Sequence, residues 1–211
     1  VTHINFVFQS TFKNTINSMK TEQSIASILL FATAIAGTLL LVPFTASFYV
    51  EGFNWSTSDY VFAFMMFFVT VTSYKMITRS NTSAIYKFAV GFSLFSGFFM
   101  VWVNLAVGII GAEDNPINIS YFIVILIGLV GANIARLRPD GMARVLGIMA
   151  ASIIIIAFIA LVTGAQHLPH SSVTHILAVN AVMAFLFIQS AFLFHFAAKK
   201  MAETTPAENL S

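Results

Sequence analysis

The sequence predicts an all-α, polytopic membrane protein: a bundle of about six transmembrane helices in three hairpins, with both termini on the cytoplasmic side. Of the 211 residues, 58% are hydrophobic and only 9% are charged, whereas soluble domains have roughly 45–50% and about 25%. The apolar residues form runs long enough to cross a hydrocarbon layer of about 30 Å. The basic residues fall beside these runs, at alternate turns.

Six segments reach the length of about 20 mostly apolar residues that a spanning helix requires. The predicted spans are 24–50, 57–77, 84–111, 117–135, 142–163 and 172–198. The turns between them are rich in polar residues, proline or glycine and cover 51–56, 78–83, 112–116, 136–141 and 164–171. The chain is therefore predicted to consist of a polar N-terminal tail (1–23), a transmembrane domain (24–198) and a polar C-terminal tail (199–211).

The distribution of basic residues gives the orientation, because Lys and Arg near helix ends resist translocation. With six spans, all ten basic residues fall on one side, here called the basic side: Lys13, Lys20, Lys75, Arg79, Lys87, Arg136, Arg138, Arg144, Lys199 and Lys200. The opposite, outer side carries carboxylates and histidines without Lys or Arg. A wrong span count would destroy this alternation, so the pattern supports both the number of spans and the cytoplasmic termini.

The N-terminal segment has two interpretations. Its apolar run is longer than the 7–15 residues of a typical signal-peptide core and lacks a following A-x-A site, which favours a retained span. Met19-Lys20 resembles a translation start. Residues 1–18 are therefore expected to be either a non-ATG extension or a poorly ordered tail.

Composition also excludes several kinds of chemistry. The chain has no cysteine, which rules out disulfides, thiolate metal sites and cysteine nucleophiles. The net charge of +2 comes from small groups beside apolar segments, which indicates topology and not a nucleic-acid surface. The expected partner is the lipid bilayer, with other membrane proteins or further copies of the chain left open, and no cofactor is predicted.

No charged residue lies near the middle of a span, which lowers the expectation of a proton-coupled pump or a voltage sensor. Four amide side chains do lie within spans: Asn104, Asn133, Asn180 and Gln189. The favoured interpretation is that they form polar contacts between helices. The alternative is that Asn104 lines a solute site in the outer half of the bundle.

Two outer turns carry candidate ligands. Glu113, Asp114 and Asn115 form an acidic turn, but a Ca²⁺ site needs about six to eight oxygen ligands, and a solvated turn is favoured. His167, His170 and His175 are candidate zinc ligands in the third outer turn, although their spacing matches no standard motif. We therefore predict no metal site.

Catalytic patterns are missing from the sequence. P-loop, Rossmann and nucleophile-elbow motifs do not occur, and His195 has no second histidine at a similar depth with which to bind haem. No catalytic residue is predicted. An enzyme would need an outer cleft that combines Glu113 and Asp114 with the third-turn histidines, and a large separation of Glu113 from His170 would exclude it.

Two stretches, WVNLAVGIIGAEDNP (102–116) and ARLRPDGMAR (135–144), resemble a family of small bacterial inner-membrane proteins of uncharacterised activity. The resemblance covers about residues 39–163 and includes the turn at Asn54-Trp55. Members often have Ser where Ala112 stands, and they lack the histidine-rich turn. The resemblance implies a bacterial cytoplasmic membrane but no activity and no functional residue.

The second stretch also has a physical interpretation. Pro139 is expected to end span 4 and Gly141 to permit the reversal into span 5. Arg136, Arg138 and Arg144 would then lie among lipid headgroups. They are expected to determine topology, with a lipid-headgroup or protein docking site as the alternative.

These observations favour a non-enzymatic membrane protein. A small-solute facilitator is slightly favoured over a structural or partner-binding subunit. A water-accessible cavity that touches Asn104 would support transport. A solid core with an exposed groove would support partner binding.

Overall fold

The computed structural model describes residues 2–79 and 83–204, with only the backbone described for residues 2–24 and 204. This part of the chain contains six α-helices and no strand. The helices are α1 (Thr2–Tyr49), α2 (Thr57–Thr78), α3 (Ala84–Ala106), α4 (Ile119–Ile134), α5 (Pro139–Val162) and α6 (Val173–Thr204). Each is long and apolar enough to cross a membrane, α4 together with the 3-10 helix Pro116–Asn118 that precedes it. The predicted all-helical, multi-pass membrane fold is confirmed.

The two ends of the chain are more helical than the sequence predicts. α1 begins at Thr2, upstream of the predicted span, and α6 continues to Thr204, beyond the predicted end at Ala198. The alternatives for residues 1–18 stay predictions, because the side chains there lie outside the described residues. The end of the predicted C-terminal tail, 205–211, also lies outside them.

The chain divides into two compact units, Val1–Met76 and Ile77–Ser211. The first unit contains α1, which continues through Pro43, and nearly all of α2. Ala32 and Ala36, one turn apart on α1, are fully buried, and small side chains at this spacing let helix backbones approach closely. The Lys75 ammonium lies 4.2 Å from the centroid of the Phe31 ring, a cation–π contact between α2 and α1.

The second unit contains α3 to α6, and α6 is its central helix. α6 packs most extensively against α5 and then against α3, while α4 packs mainly against α5. The buried side chains include Met100, Ile153, Ile176 and Phe187. The α5–α6 hairpin therefore packs directly, whereas α3 and α4, which follow each other in sequence, make little contact.

Two glycines allow α4 to approach α5. A Cβ atom at Gly128 would lie 2.7 Å from the sulfur of Met149, and one at Gly131 would lie 2.7 Å from Cγ1 of Val145. Both distances are too short for real atoms. The absence of these side chains thus sets how closely the two helices pack.

The turn between α4 and α5 differs from its prediction. Arg136 and Leu137, with φ of 49° and 55°, make the reversal, while Pro139 and Gly141 belong to the first turn of α5. The predicted roles of the proline and the glycine were wrong, because the fixed φ of proline suits the first position of a helix. Gly141 serves a close approach instead, since a Cβ there would lie 2.6 Å from Cβ of Ala135.

Candidate solute-binding cavity

The first part of the segment that joins α3 to α4, residues 108–111, is buried but not helical. The predicted span continued to Gly111, whereas α3 ends at Ala106, so this boundary was wrong. Gly108 and Gly111 adopt φ of 75° and 69°, and a Cβ at Gly108 would lie 2.6 Å from the backbone of Ala112. Between the glycines, Ile109 and Ile110 are completely buried. Their backbone groups must therefore find partners within the protein.

The side chain of Asn118 supplies most of these partners. Its Oδ1 accepts the N–H groups of Ile109 (3.2 Å) and Ile110 (3.0 Å). Its Nδ2 donates to the carbonyls of Ala112 (2.8 Å) and Ile110 (3.2 Å). Asn118 is 3% exposed and was not singled out as a site residue from the sequence. The sequence feature that could have identified Asn118 is its position two residues after a proline and close to a glycine-containing turn.

Asn115 adds a second local support, while its acidic neighbours remain at the surface. The Nδ2 of Asn115 donates to the Ile110 carbonyl (3.0 Å) and its Oδ1 accepts the N–H of Ile117 (3.2 Å). Glu113 and Asp114 are exposed. Of the three residues of the acidic outer turn, the amide therefore shapes the loop, whereas the two acidic residues are exposed.

Asn104, the candidate solute contact, is 3% exposed near the end of α3. Its Nδ2 donates to the backbone carbonyl of Asn118 (3.0 Å), which connects α3 to the start of α4. Its Oδ1 has no hydrogen-bond partner. Asn104 thus makes the predicted polar contact between elements and retains one free acceptor.

A cavity of about 400 Å³ lies between this segment and the α5–α6 turn. Three polar residues and five small or apolar residues line it: Glu113, His170, His175, Ala106, Val107, Gly108, Gly111 and Ala112. Cavities of 300–1,000 Å³ are typical of small-molecule sites. The tertiary structure therefore brings together one carboxylate and two imidazoles that belong to different outer turns.

The three histidines of the third outer turn have different environments. His167 is exposed, with its Nε2 3.3 Å from Nε2 of Gln166, and does not line the cavity. His170 is exposed at a φ of 58°. The backbone N–H of His175 donates to Oγ of Ser172 (3.1 Å), and its Nδ1 is buried without a partner. Among the described residues, no three His, Asp or Glu side chains are close enough to hold a metal ion.

Deeper polar groups form contacts between helices. The Tyr121 hydroxyl on α4 donates to Oδ1 of Asn180 on α6 at 2.6 Å. The hydroxyl oxygens of Ser96 on α3 and Ser190 on α6 lie 3.3 Å apart, and both residues are fully buried. The sequence predicted Asn180 as a helix–helix contact but left its tyrosine partner unassigned.

The other predicted polar residues do not join these contacts. Asn133 is exposed and donates to the Leu129 carbonyl of its own helix (2.8 Å). Gln189 is half-buried on α6, and His195 is exposed near its end. These side chains therefore do not mark a common site.

The basic end of the second unit carries the three candidate arginines. Arg136, Arg138 and Arg144 are all exposed. The hydroxyl of Tyr86, at the start of α3, donates to the Leu137 carbonyl in the adjoining turn (2.9 Å). The Tyr86 ring also packs edge-on against Phe194 of α6, with centroids 5.7 Å apart.

The cavity offers polar groups for binding but an incomplete set for catalysis. Glu113, His170 and His175 can accept or donate hydrogen bonds and transfer protons. The residues that line the cavity include no hydroxyl or thiol nucleophile. The arrangement is therefore suited to holding a small polar molecule at the outer surface. No family model matches the chain, and comparisons with curated proteins and with solved structures find no similar protein.

Proposed function

We propose that this integral membrane protein binds a small solute in the outer cavity and passes it across the membrane as a facilitator. The cavity is the observation that supports the proposal most strongly, because it combines a volume of about 400 Å³ with the polar residues Glu113, His170 and His175, which come from two regions distant in sequence.

The test of transport stated from the sequence, a cavity that touches Asn104, is not met, because Asn104 is absent from the wall of the cavity. A facilitator would therefore need a route past Asn104 and the buried side chains that follow it along α3. Asn104 and Ser96 stand on the same side of this helix as Met100, because residues four apart are neighbours on a helical face. Met100 is completely buried and separates the two polar side chains. The route is therefore closed at Met100, whose unbranched side chain with three rotatable bonds is well suited to move aside.

Uptake into proteoliposomes tests this proposal. The probes are glycerol, urea, methylammonium and acetate, each compared with protein-free liposomes. The variant Ala112→Trp fills the cavity, and Asp114→Trp places the same side chain on a neighbouring exposed residue that does not line it. We expect uptake of at least one probe, lost in the first variant and retained in the second. Uptake equal to that of protein-free liposomes for every probe would refute facilitation.

Orientation and location belong to the same proposal. The ten basic residues face the cytoplasm if the positive-inside rule holds, and the family resemblance supports a bacterial cytoplasmic membrane. Reporter fusions in the Arg138 turn and in the Glu113 turn test both assignments. A reporter active outside the cell when fused at Arg138 would reverse the orientation.

A structural or partner-binding subunit is the second candidate, and the closed core of the second unit favours it. Ser96, Ser190, Tyr121 and Asn180 all bond within the protein, as they would in a bundle that carries nothing. Native mass spectrometry after mild extraction distinguishes the two functions. A second protein or a second copy at fixed stoichiometry, with no uptake of the probes, would favour the subunit.

A further inference from the structure

The charges around the outer cavity select a class of solute. We propose that the cavity takes a small organic cation of the ammonium type, a step that rests on the proposed function and adds the substrate class. Glu113 is the charged side chain in the wall, and neither Lys nor Arg lines the cavity. The exposed carboxylate is therefore free to pair with a positive group.

The basic residues of the second unit are too far along their helices to offset this carboxylate. Lys87 and Ala106 lie on the same helix, about 28 Å apart at a rise of 1.5 Å per residue. His175 and Lys199 on α6 are separated by about 36 Å on the same basis. Both separations are many times the roughly 4 Å of an ion pair. These two lysines therefore cannot pair with the Glu113 carboxylate.

The backbone adds a further negative contribution. Ala106, the last residue of α3, lines the cavity, and the C-terminal end of a helix carries a partial negative charge. The first turn of α6 brings the opposite partial charge near His175. There the Oγ of Ser172 accepts the backbone N–H of His175, which satisfies one of the exposed donors.

One unpartnered polar atom belongs to a residue of the cavity wall. Nδ1 of His175 is buried without a hydrogen-bond partner, although buried polar atoms are normally paired. His175 itself lines the cavity. An ammonium group offers several N–H donors, so it can pair with the Glu113 carboxylate and with an imidazole acceptor at once.

The volume favours an organic cation over a bare metal ion. The cavity of about 400 Å³ is many times the roughly 30 Å³ that one water molecule occupies in the liquid. Among the described residues no group of three metal-binding side chains surrounds it. A methylated or alkylated ammonium ion fills more of this space and requires fewer charged ligands.

Ligand binding at the cavity can be measured from the methyl chemical shifts of the full chain in detergent micelles, with the alanine methyl groups labelled for NMR. Methylammonium is titrated first, followed by acetate and urea. Saturable shifts are expected at Ala106 and Ala112 with methylammonium. Glu113→Gln should weaken this binding roughly two- to fivefold, as expected for one partly solvated ion pair. Asp114→Asn, a matched change on an exposed neighbour outside the cavity wall, should leave it unchanged.

The outcomes separate the substrate class from the proposed function. Saturable shifts with acetate or urea but not with methylammonium would overturn the cation and leave solute binding intact. Equal effects of Glu113→Gln and Asp114→Asn would also overturn the cation, because the cavity carboxylate would then have no special role. If no probe shifts Ala106 or Ala112, both the cation and the solute-binding function fall.

Discussion

Replacement of Asn118 by alanine should be among the most destabilising changes in the second unit. The amide makes four hydrogen bonds to backbone groups of a buried, non-helical segment. A net contribution of about 0.5–1.5 kcal/mol for each gives roughly 2–6 kcal/mol for the set. The N–H groups of Ile109 and Ile110 would lose their partner, which favours a value above the lower limit. The carbonyls of Ile110 and Ala112 would keep Asn115 as a donor.

The free energy of unfolding can be measured by titrating SDS into mixed micelles and following the fluorescence of Trp102. A Trp55→Phe background removes the other tryptophan of the chain. The matched control is Asn133→Ala, which removes an exposed amide bonded only to its own helix and should cost about 0.5 kcal/mol or less. If the two alanine variants unfold at the same SDS fraction, Asn118 does not hold the segment. Asn118→Asp, which keeps the acceptor but places an oxygen against the carbonyls of Ala112 and Ile110, should destabilise the protein at least as much as the alanine.

Two further predictions concern contacts between helices. Gly131→Ala should destabilise the protein by about 1–3 kcal/mol because its new methyl group would lie 2.7 Å from Val145. Gly147→Ala, with nothing within 4 Å, should be neutral or slightly stabilising, and equal melting temperatures of the two variants in detergent would contradict the role of Gly131. Tyr121→Phe removes the hydroxyl bound to Asn180 and should cost about 1–2 kcal/mol. In an Asn180→Leu background the same change should have little effect, and additive losses in this double-mutant cycle would contradict the bond.

The helices could be predicted because hydrophobic length and flanking charge are local properties of the sequence. Which face of each helix packs against the protein could not be predicted, because lipid and the protein interior favour the same side chains. Ile153 is completely buried and Ile154 is 56% exposed, although the two residues are identical and adjacent. Hydropathy alone cannot assign one to the bundle and the other to its surface.

The end of α3 and the composition of the cavity depend on contacts between distant residues. α3 stops where it does because Asn118, on the far side of the loop, satisfies backbone groups that would otherwise require a helix. From the sequence, Glu113 and His170 were candidate residues in separate turns, and their proximity was the condition for an enzyme site. That they share one cavity with His175 follows from the packing of α3 against α6, which no local pattern encodes.

The double contact of Tyr86 has a consequence for movement at the basic end. One side chain joins the start of α3 to the α4–α5 turn through its hydroxyl and to α6 through its ring. These three elements cannot separate there without breaking the bond to Leu137, the contact with Phe194, or both. A movement that separates these three elements at the basic end would have to release this tyrosine, so its removal should lower the barrier to that movement while leaving the outer cavity intact.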